Sequence, residues 1–445
     1  MKKTAAFLSL GCKVNSYETE AMRTMFETAG YDIVDFKEQA DVYVVNTCTV
    51  TNIADRKSRQ MLHQAKKRNP EAVIAAVGCY VQAAEEALME DSSVDIVLGN
   101  NKKSDIVALV ERYMESREKE ELITDIGEEQ EYEALSVSTT TEKTRAFVKI
   151  QDGCNRFCSY CIIPYVRGRV RSRKEEDILS EIKQLAEKGY KEIVFTGIHI
   201  SSYGTDWNLE VVKNPDRMPL ADLIVKVAQI EEIERIRLGS LEPGIITEKF
   251  VQVIAGVKQF CPHFHLSLQS GSDTVLHRMN RKYTSDEFFQ KVLLIKEYFD
   301  LPSFTTDVIV GFPGETDKEF EETKHFVQKI GFSHIHVFKY SKRAGTRAAD
   351  MPDQIPEDIK NNRSDELIAV SETMSQEYKT LFMGRIEKIL VEEETEVKGK
   401  IYQIGHNERY LRLAVEDSRD LTNSVVKARV CKRLTDEILL CEITN

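Results

Sequence analysis

The stretch Gly153-Cys154-Asn155-Arg156-Phe157-Cys158-Ser159-Tyr160-Cys161 decides how the rest of this 445-residue chain is read. Its cysteines are spaced C-x3-C-x2-C, and it follows the apolar segment Ala146-Phe147-Val148-Lys149-Ile150. Three thiolates this close on one loop are ligands for a soft metal centre. A structural zinc site closes with four ligands, whereas an iron–sulfur cluster held by three leaves one iron open to a cofactor or substrate. No fourth Cys or His follows at the short spacings of zinc sites.

Upstream, residues 1–115 read as alternating strands and helices. The apolar runs Ala5–Leu10, Val42–Val45 and Val73–Val77 are short and rich in β-formers, with helical patterns between them. That order predicts a small parallel sheet of flavodoxin-like type. Cys12, Cys48 and Cys79 each fall within two or three residues of the C-terminal end of one of these strands. Such ends share one edge of a parallel sheet, so cysteines 36 and 31 residues apart in sequence can converge in space. Ordinary buried cysteines are the competing reading. Three of three in successive βα turns points instead to a second three-ligand cluster.

Downstream, residues 143–375 repeat strand and helix six times, with strands expected near Phe147, Ile193, Ile236, Phe264, Thr305 and Ile335. Helices are expected over Asp177–Lys188, Leu220–Ile230, Thr247–Val257, Ser285–Tyr298 and Lys318–Ile330. Right-handed crossovers then give a parallel (βα)6 partial barrel. Chemistry in such barrels sits at the C-terminal strand ends. The unusual residues fall there: the cysteine loop, Thr196-Gly197-Ile198-His199, Ser240-Leu241-Glu242-Pro243, Gln269-Ser270-Gly271-Ser272, Gly311-Phe312-Pro313-Gly314-Glu315 and Tyr340-Ser341-Lys342-Arg343. Taken singly, several of these are turn chemistry.

Between the two regions, residues 116–142 read as an acidic linker; Glu115–Glu133 carries nine acidic and two basic residues. The run from Arg167 to Lys174 carries five cations in eight residues directly after the cysteine loop. Arg167, Arg169, Arg171 and Arg173, with Arg343, are candidates for holding phosphates or a carboxylate at the mouth of the site. Residues 376–445 change texture: Ile386–Glu392, Val397–Tyr402, Tyr410–Val415, Val425–Leu434 and Glu437–Ile443 read as five short strands of an OB-like barrel. From Lys379 on, twelve basic and twelve acidic residues cancel, so only the architecture hints at nucleic acid.

Composition bounds the rest. A net charge of −12 opposes indiscriminate nucleic-acid binding without excluding a local basic patch. The chain is 42% apolar, with no run of membrane-spanning length. Nine cysteines, six in ligand-like positions, suit a reducing cytoplasm.

With all three regions placed, the chain resembles the methylthiotransferases of the radical S-adenosylmethionine (SAM) superfamily over essentially its full length. The resemblance is carried by Gly11-Cys12-Lys13-Val14-Asn15-Ser16-Tyr17-Glu18, Gly153–Cys161, Leu268-Gln269-Ser270-Gly271-Ser272 and Gly311-Phe312-Pro313-Gly314-Glu315-Thr316. It implies a 4Fe–4S cluster on Cys154, Cys158 and Cys161 that binds and cleaves SAM. A second 4Fe–4S cluster on Cys12, Cys48 and Cys79 would carry the inserted sulfur. Tyr160, Gly197, Glu242, Gln269, Gly311 and Phe312 would contact SAM, and no catalytic residue is expected beyond the cluster ligands. In place of the superfamily's Gly-Gly-Glu-like element stands Thr196-Gly197-Ile198-His199.

Gly-Cys-Lys-Val-Asn resembles the branch that methylthiolates C2 of N6-threonylcarbamoyladenosine (t6A) beside the tRNA anticodon, using two SAM-dependent steps. The implied partners are that tRNA, gripped by the C-terminal TRAM domain, and a flavodoxin-type electron donor. Three rival readings carry different chemistry: methylthiolation of a ribosomal-protein aspartate, a non-catalytic RNA-binding protein with structural zinc, and an iron–sulfur electron carrier.

Overall fold

The computed structural model describes residues 2–137, 144–207 and 217–444. Strands β1 (Thr4–Ser9), β2 (Asp32–Val34), β3 (Val42–Thr47), β4 (Val73–Gly78), β5 (Ile96–Leu98) and β6 (Glu120–Leu122) form one parallel sheet in the order β2-β1-β3-β4-β5-β6. Alternate residues serve two cores. Tyr43, Val45, Ile74 and Ala76 pack against Met61 and Leu62 of the helix Asn52–Arg68. Val42, Val44, Val73 and Ala75 pack against Met22, Phe26, Ile106 and Leu109. Burial on both faces explains why β3 and β4 are continuous apolar runs. The strand order reverses direction between β1 and β3, and in such sheets the crevice at that switch point is where ligands sit.

The acidic segment is not the solvated linker its composition suggests. Glu120–Leu122 adds an edge strand to β5, and Ile126, Leu135 and Val137 are buried. An edge strand is held by backbone hydrogen bonds on one side and tolerates charge on its side chains, so composition hides it. Residues 138–143 lie outside the described residues.

The second region matches the expected partial barrel. β7 (Arg145–Asp152), a two-residue β8 (Arg171–Ser172), β9 (Glu192–Gly197), β10 (Arg235–Leu238), β11 (His263–His265), β12 (Ser303–Val310) and β13 (His334–Lys339) follow in sequence. Two hydrogen-bonded sheets, β10-β9-β7-β8 and β11-β12-β13, are joined by parallel bridges Ile236–Phe260 and Leu241–Leu266. β8 alone runs antiparallel, on the end of β7. Helices Glu175–Glu187, Pro219–Val227, Glu248–Ala255, Ser285–Tyr298 and Asp317–Ile330 cover the outside, near their expected positions.

A sixth helix, Glu357–Thr380, was not marked by the sequence pattern. Its buried side includes Lys360 and Arg363, which pair with distant groups, so no simple apolar stripe betrays it.

Strands β14 (Ile386–Val397), β15 (Lys400–His406), β16 (Arg412–Val415), β17 (Val425–Arg433) and β18 (Ile438–Ile443) close a barrel in the order β14-β15-β16-β18-β17. The expected strand Val397–Tyr402 is in fact interrupted by the hairpin turn at Lys398 and Gly399, both at positive φ. Turn residues inside an alternating pattern decided against continuity there.

This barrel plugs the N-terminal end of the larger one. Tyr410 stacks on His406 and His263, with ring centroids 4.4 and 5.2 Å away, and lies under the guanidiniums of Arg145 and Arg237. Both arginines also pair with Glu192, which is fully buried at the start of β9. Burial would raise that carboxyl, but Arg237, Arg145 and Arg235 hold it well below the usual range. Among the described residues no helix is long and apolar enough to cross a membrane.

Candidate functional site

The loop after β7 has one backbone turn of its own, Cys161 N–H to Cys158 O, and is otherwise braced by its surroundings. Phe157 takes a positive φ of 50°, and its carbonyl accepts from Asn280 Nδ2 at 2.9 Å. Ser159 donates its N–H to Met279 O and its hydroxyl to Arg278 O, and its own carbonyl accepts from Ala348 N–H. Gly153, at φ +70°, is obligatory: a Cβ there would lie 1.7 Å from Arg169 O. Cys154, Cys158 and Cys161 are half-buried and free of disulfides. Each thiol lies within Coulombic reach of another in the loop, and burial pushes Cys154 up to about 11 and Cys161 to about 12. Arg281 Nη1 donates to Cys158 Sγ at 3.2 Å.

The second triad assembles at the ends of β1, β3 and β4. Burial pushes Cys12 upward and Cys48 up to about 11, and the Cys12, Cys48 and Cys79 thiols influence one another. A Cβ on Gly11 would lie 2.6 Å from Cys48 Sγ, so glycine leaves that face of the thiol bare. Asn15 closes the turn by donating Nδ2 to Leu10 O and Thr47 O. Cys79 packs on Ile162 and Val166, one and five residues after Cys161. The two triads therefore share one wall.

That wall corrects the reading of the basic run. Arg167 is fully buried: it donates to Cys79, Asn15 and Glu18 of the N-terminal region and to Asp152 at the end of β7. Arg171 is buried and donates to the carbonyls of Arg167 and Arg169. Arg173 pairs with Glu181 and donates to Tyr17 Oη. Arg343 is spent on Asp55, Asn52 and Thr49, next to Cys48. Arg167, Arg173 and Arg343 fasten the N-terminal region to the barrel, Arg171 braces the segment that carries Arg167, and all four are buried, with no face for a phosphate. Arg169 and Lys174 remain exposed, Arg169 with its guanidinium over the Phe157 ring. The run misleads because the partners that tie Arg167 and Arg173 to the N-terminal region, Asn15, Glu18, Cys79 and Tyr17, lie far away in the sequence.

Of the other predicted residues, Tyr160, Glu242 and Gln269 are gathered at the same barrel end. Glu242 is nearly buried, paired with Arg156 of the cysteine loop, 3.3 Å from His199 Nε2 and 3.6 Å from Arg281. Burial opposes its ionisation, yet His199 and Arg281 keep its carboxyl below the usual range. Gln269 adopts φ +71° and bonds the β12 backbone through both its N–H and carbonyl. Gly197 packs tightly on Gln151 and Ile200.

Two residues depart from the expectation. Phe312 is wholly buried against Tyr340 in a core that Tyr160 also touches, so its ring is structural. Gly311 makes room for Lys360, whose Cγ would lie 2.3 Å from a Cβ there.

The sequence reading passed over the residues lining the barrel lumen. Phe264, Phe304, Val308 and Ile335 face the helices, which turns His265, Asp307 and His336 inward. One ligand atom from each lies within 4.8 Å of the others, and His265 Nε2 is 3.3 Å from Asp307 Oδ2. Lys13, beside Cys12, reaches over the Phe147 ring at the same opening. Period-two alternation along β11 and β13 was the signal that could have found the histidines. Arg281 carried no such signal.

The donor sets fit iron–sulfur clusters. Each triad supplies three uncrosslinked thiols, with arginine N–H groups directed at Cys79 and Cys158. Around Cys79, the buried cations Arg167, Lys149 and Lys103 outnumber the carboxylates Glu18 and Asp152 that pair with them. At the edge of this group, Arg171 and Glu133 add one charge of each sign and leave the excess unchanged. A buried excess of positive charge calls for an anion, which a thiolate-ligated cluster provides.

Comparison with known proteins agrees with this architecture. Residues 148–327 match the model of the radical SAM superfamily, and residues 4–99 match that of "Uncharacterized protein family UPF0004". The chain is 42% identical to the threonylcarbamoyladenosine tRNA methylthiotransferase MtaB of Bacillus subtilis, over 96% of this chain and 94% of the relative. It is 40% identical to the protein of the same name from Aquifex aeolicus (89% and 95% covered). Against the tRNA-2-methylthio-N(6)-dimethylallyladenosine synthase of Thermoanaerobacter pseudethanolicus the identity is 36% (98% and 88% covered). Among solved structures, the radical SAM methyltransferase TsrM from Kitasatospora setae superposes with a TM-score of 0.55 at 13% identity, covering 78% and 77% of the two chains, a likeness of fold alone.

Proposed function

The chain belongs to the methylthiotransferase family of radical SAM enzymes, and from that premise we propose that it converts t6A in the anticodon loop of tRNA to its 2-methylthio form. A base in such a loop can be unstacked and presented to a pocket. The proposal assigns 4Fe–4S clusters to both triads and two SAM-dependent steps to each turnover. When bound, SAM on the Cys154/Cys158/Cys161 cluster supplies a hydrogen-abstracting radical, and the Cys12/Cys48/Cys79 cluster supplies the sulfur.

The observation that supports the reading is the shared wall: Cys79 packs on Ile162 and Val166, just after Cys161, so a substrate seated there would meet both triads. The chain's own residues prepare that space. Glu242 ties Arg156 of the cysteine loop to Arg281 and His199, fixing the loop before any ligand arrives, and its carboxylate would take the amino group or ribose of SAM. Tyr160 would lie beside the adenine. Arg169 and Lys174, the exposed cations next to the loop, would meet the RNA backbone, with the C-terminal barrel as a TRAM grip and a flavodoxin-type protein as electron donor. The t6A substrate is supported by the names of the 42% and 40% identical relatives and by Lys13 standing beside Cys12 at the mouth.

The test is mass spectrometry of tRNA nucleosides from cells lacking the protein, then complemented with wild type, Cys12→Ala or Cys154→Ala. Loss of 2-methylthio-t6A with t6A intact, restored by wild type and by neither variant, is the expected result. Persistence of the methylthio nucleoside in the deletion would remove tRNA as the substrate and direct the search to ribosomal protein.

A further inference from the structure

We infer that Arg167 links the two cysteine sites, and that its N–H···S bond to Cys79 raises the reduction potential of the cluster held by Cys12, Cys48 and Cys79. The inference rests on the two-cluster reading above.

All five guanidinium hydrogens of Arg167 are engaged. Nε donates to Cys79 Sγ at 3.2 Å, and Nη1 donates to Glu18 Oε1 at 2.8 Å and Asp152 Oδ2 at 3.0 Å. Nη2 donates to Asn15 Oδ1 at 2.6 Å and Glu18 Oε2 at 3.0 Å. Only arginine offers five donors in a fixed plane, so this geometry is not one lysine can copy.

The partners are the pieces that must be registered for the two sites to face each other. Asn15 and Glu18 lie in the first turns of the helix Lys13–Thr28, which begins directly after Cys12. Asp152 Oδ1 accepts from the N–H of Gly153, next to Cys154. One side chain thus touches a ligand of one triad and braces the backbone beside a ligand of each.

The electronic consequence follows from the same bond. A hydrogen bond to a ligating thiolate stabilises the more negative, reduced cluster and moves the potential upward. The excess of buried cations around Cys79 acts in the same direction. Arg281 places Nη1 at 3.2 Å from Cys158 Sγ, so each triad has its own arginine on one sulfur, and the two can be perturbed separately.

The experiment uses the full chain, reconstituted anaerobically. Iron per chain is measured first. About eight atoms in the wild type fits two clusters; about four would overturn the two-cluster reading, and this inference with it. The N-terminal cluster is then isolated by Cys154→Ala/Cys158→Ala/Cys161→Ala, and its midpoint potential is read by EPR-monitored redox titration with Arg167, Arg167→Gln and Arg167→Lys.

The expected result is a more negative midpoint in Arg167→Gln, with a smaller shift in the same direction in Arg167→Lys, which keeps the charge and guards against loss of the fold. In the otherwise wild-type chain, the midpoint of the other cluster should stay fixed. Full iron with an unchanged midpoint in both variants would overturn the inference while leaving the two-cluster reading standing.

Discussion

The two cysteine triads solve one problem in opposite ways. Cys154, Cys158 and Cys161 lie on a single loop, and neighbouring segments brace that loop from outside through Asn280, Met279 and Ala348. Cys12, Cys48 and Cys79 come from three strand ends, so their spacing is the spacing of β1, β3 and β4. A local site keeps its ligands close when the fold loosens. A distributed site exists only while the sheet keeps its register and the buried ion network beside it stays intact. The N-terminal triad is therefore the more fragile of the two, and its occupancy reports on the integrity of the whole domain.

The largest test of that contrast is Glu18→Gln. It removes one of two carboxylates facing Arg167, Lys149 and Lys103, and breaking a buried ion network costs about 3–5 kcal/mol. Urea denaturation should show that loss, together with about four fewer iron atoms per chain, all from the N-terminal site. Iron lost equally from both sites would abolish the distinction.

Gly11→Ala comes next, since it places a Cβ 2.6 Å from Cys48 Sγ at a residue with φ +92°. Strain of about 1–3 kcal/mol should again empty the N-terminal site first, as read by its EPR signal. On the other side, Asn280→Ala frees the Phe157 carbonyl and should cost about 1 kcal/mol. Its signature should be slower SAM cleavage with the N-terminal iron unchanged.

A weaker effect is expected from acid. Burial would raise Glu319, but Arg278, Thr274 and the Thr316 N–H bring it down to about 2, and Arg278 adjoins the segment that braces the radical loop. A depressed carboxyl stabilises the fold above its unfolded value of about 4.3 and loses that contribution as pH falls toward 2. Thermal melts across that window should decline less in Glu319→Gln than in the wild type. The smallest change is Arg169→Ala, which should leave iron and stability untouched and reduce the salt dependence of tRNA binding by about one unit of slope.

The parts of this molecule that were legible in its sequence are those written in local pattern. Strand periodicity placed the three central strands of the sheet and all six barrel strands; ligand spacing singled out the cysteines of the loop, and position at strand ends singled out Cys12, Cys48 and Cys79. What escaped depends on partners far along the chain. Arg167 looks like a surface cation until Glu18, Asn15 and Cys79 are beside it, and Phe312 looks like a cofactor contact until Tyr340 covers it. The strand Glu120–Leu122 is held through its backbone, so its side chains gave no sign of it. The helix Glu357–Thr380 hides behind buried but paired charges.

Tyr410 has a consequence for how an RNA would be measured. Clamped between two imidazoles and two guanidiniums, it rivets the small barrel to the floor of the large one. The distance from that barrel to the cysteine loops is thereby a constant of the molecule, like the jaw setting of a caliper. An RNA gripped at one end would offer the chemistry at the other only the nucleotide lying at that span, so the choice of base becomes in part a choice of length.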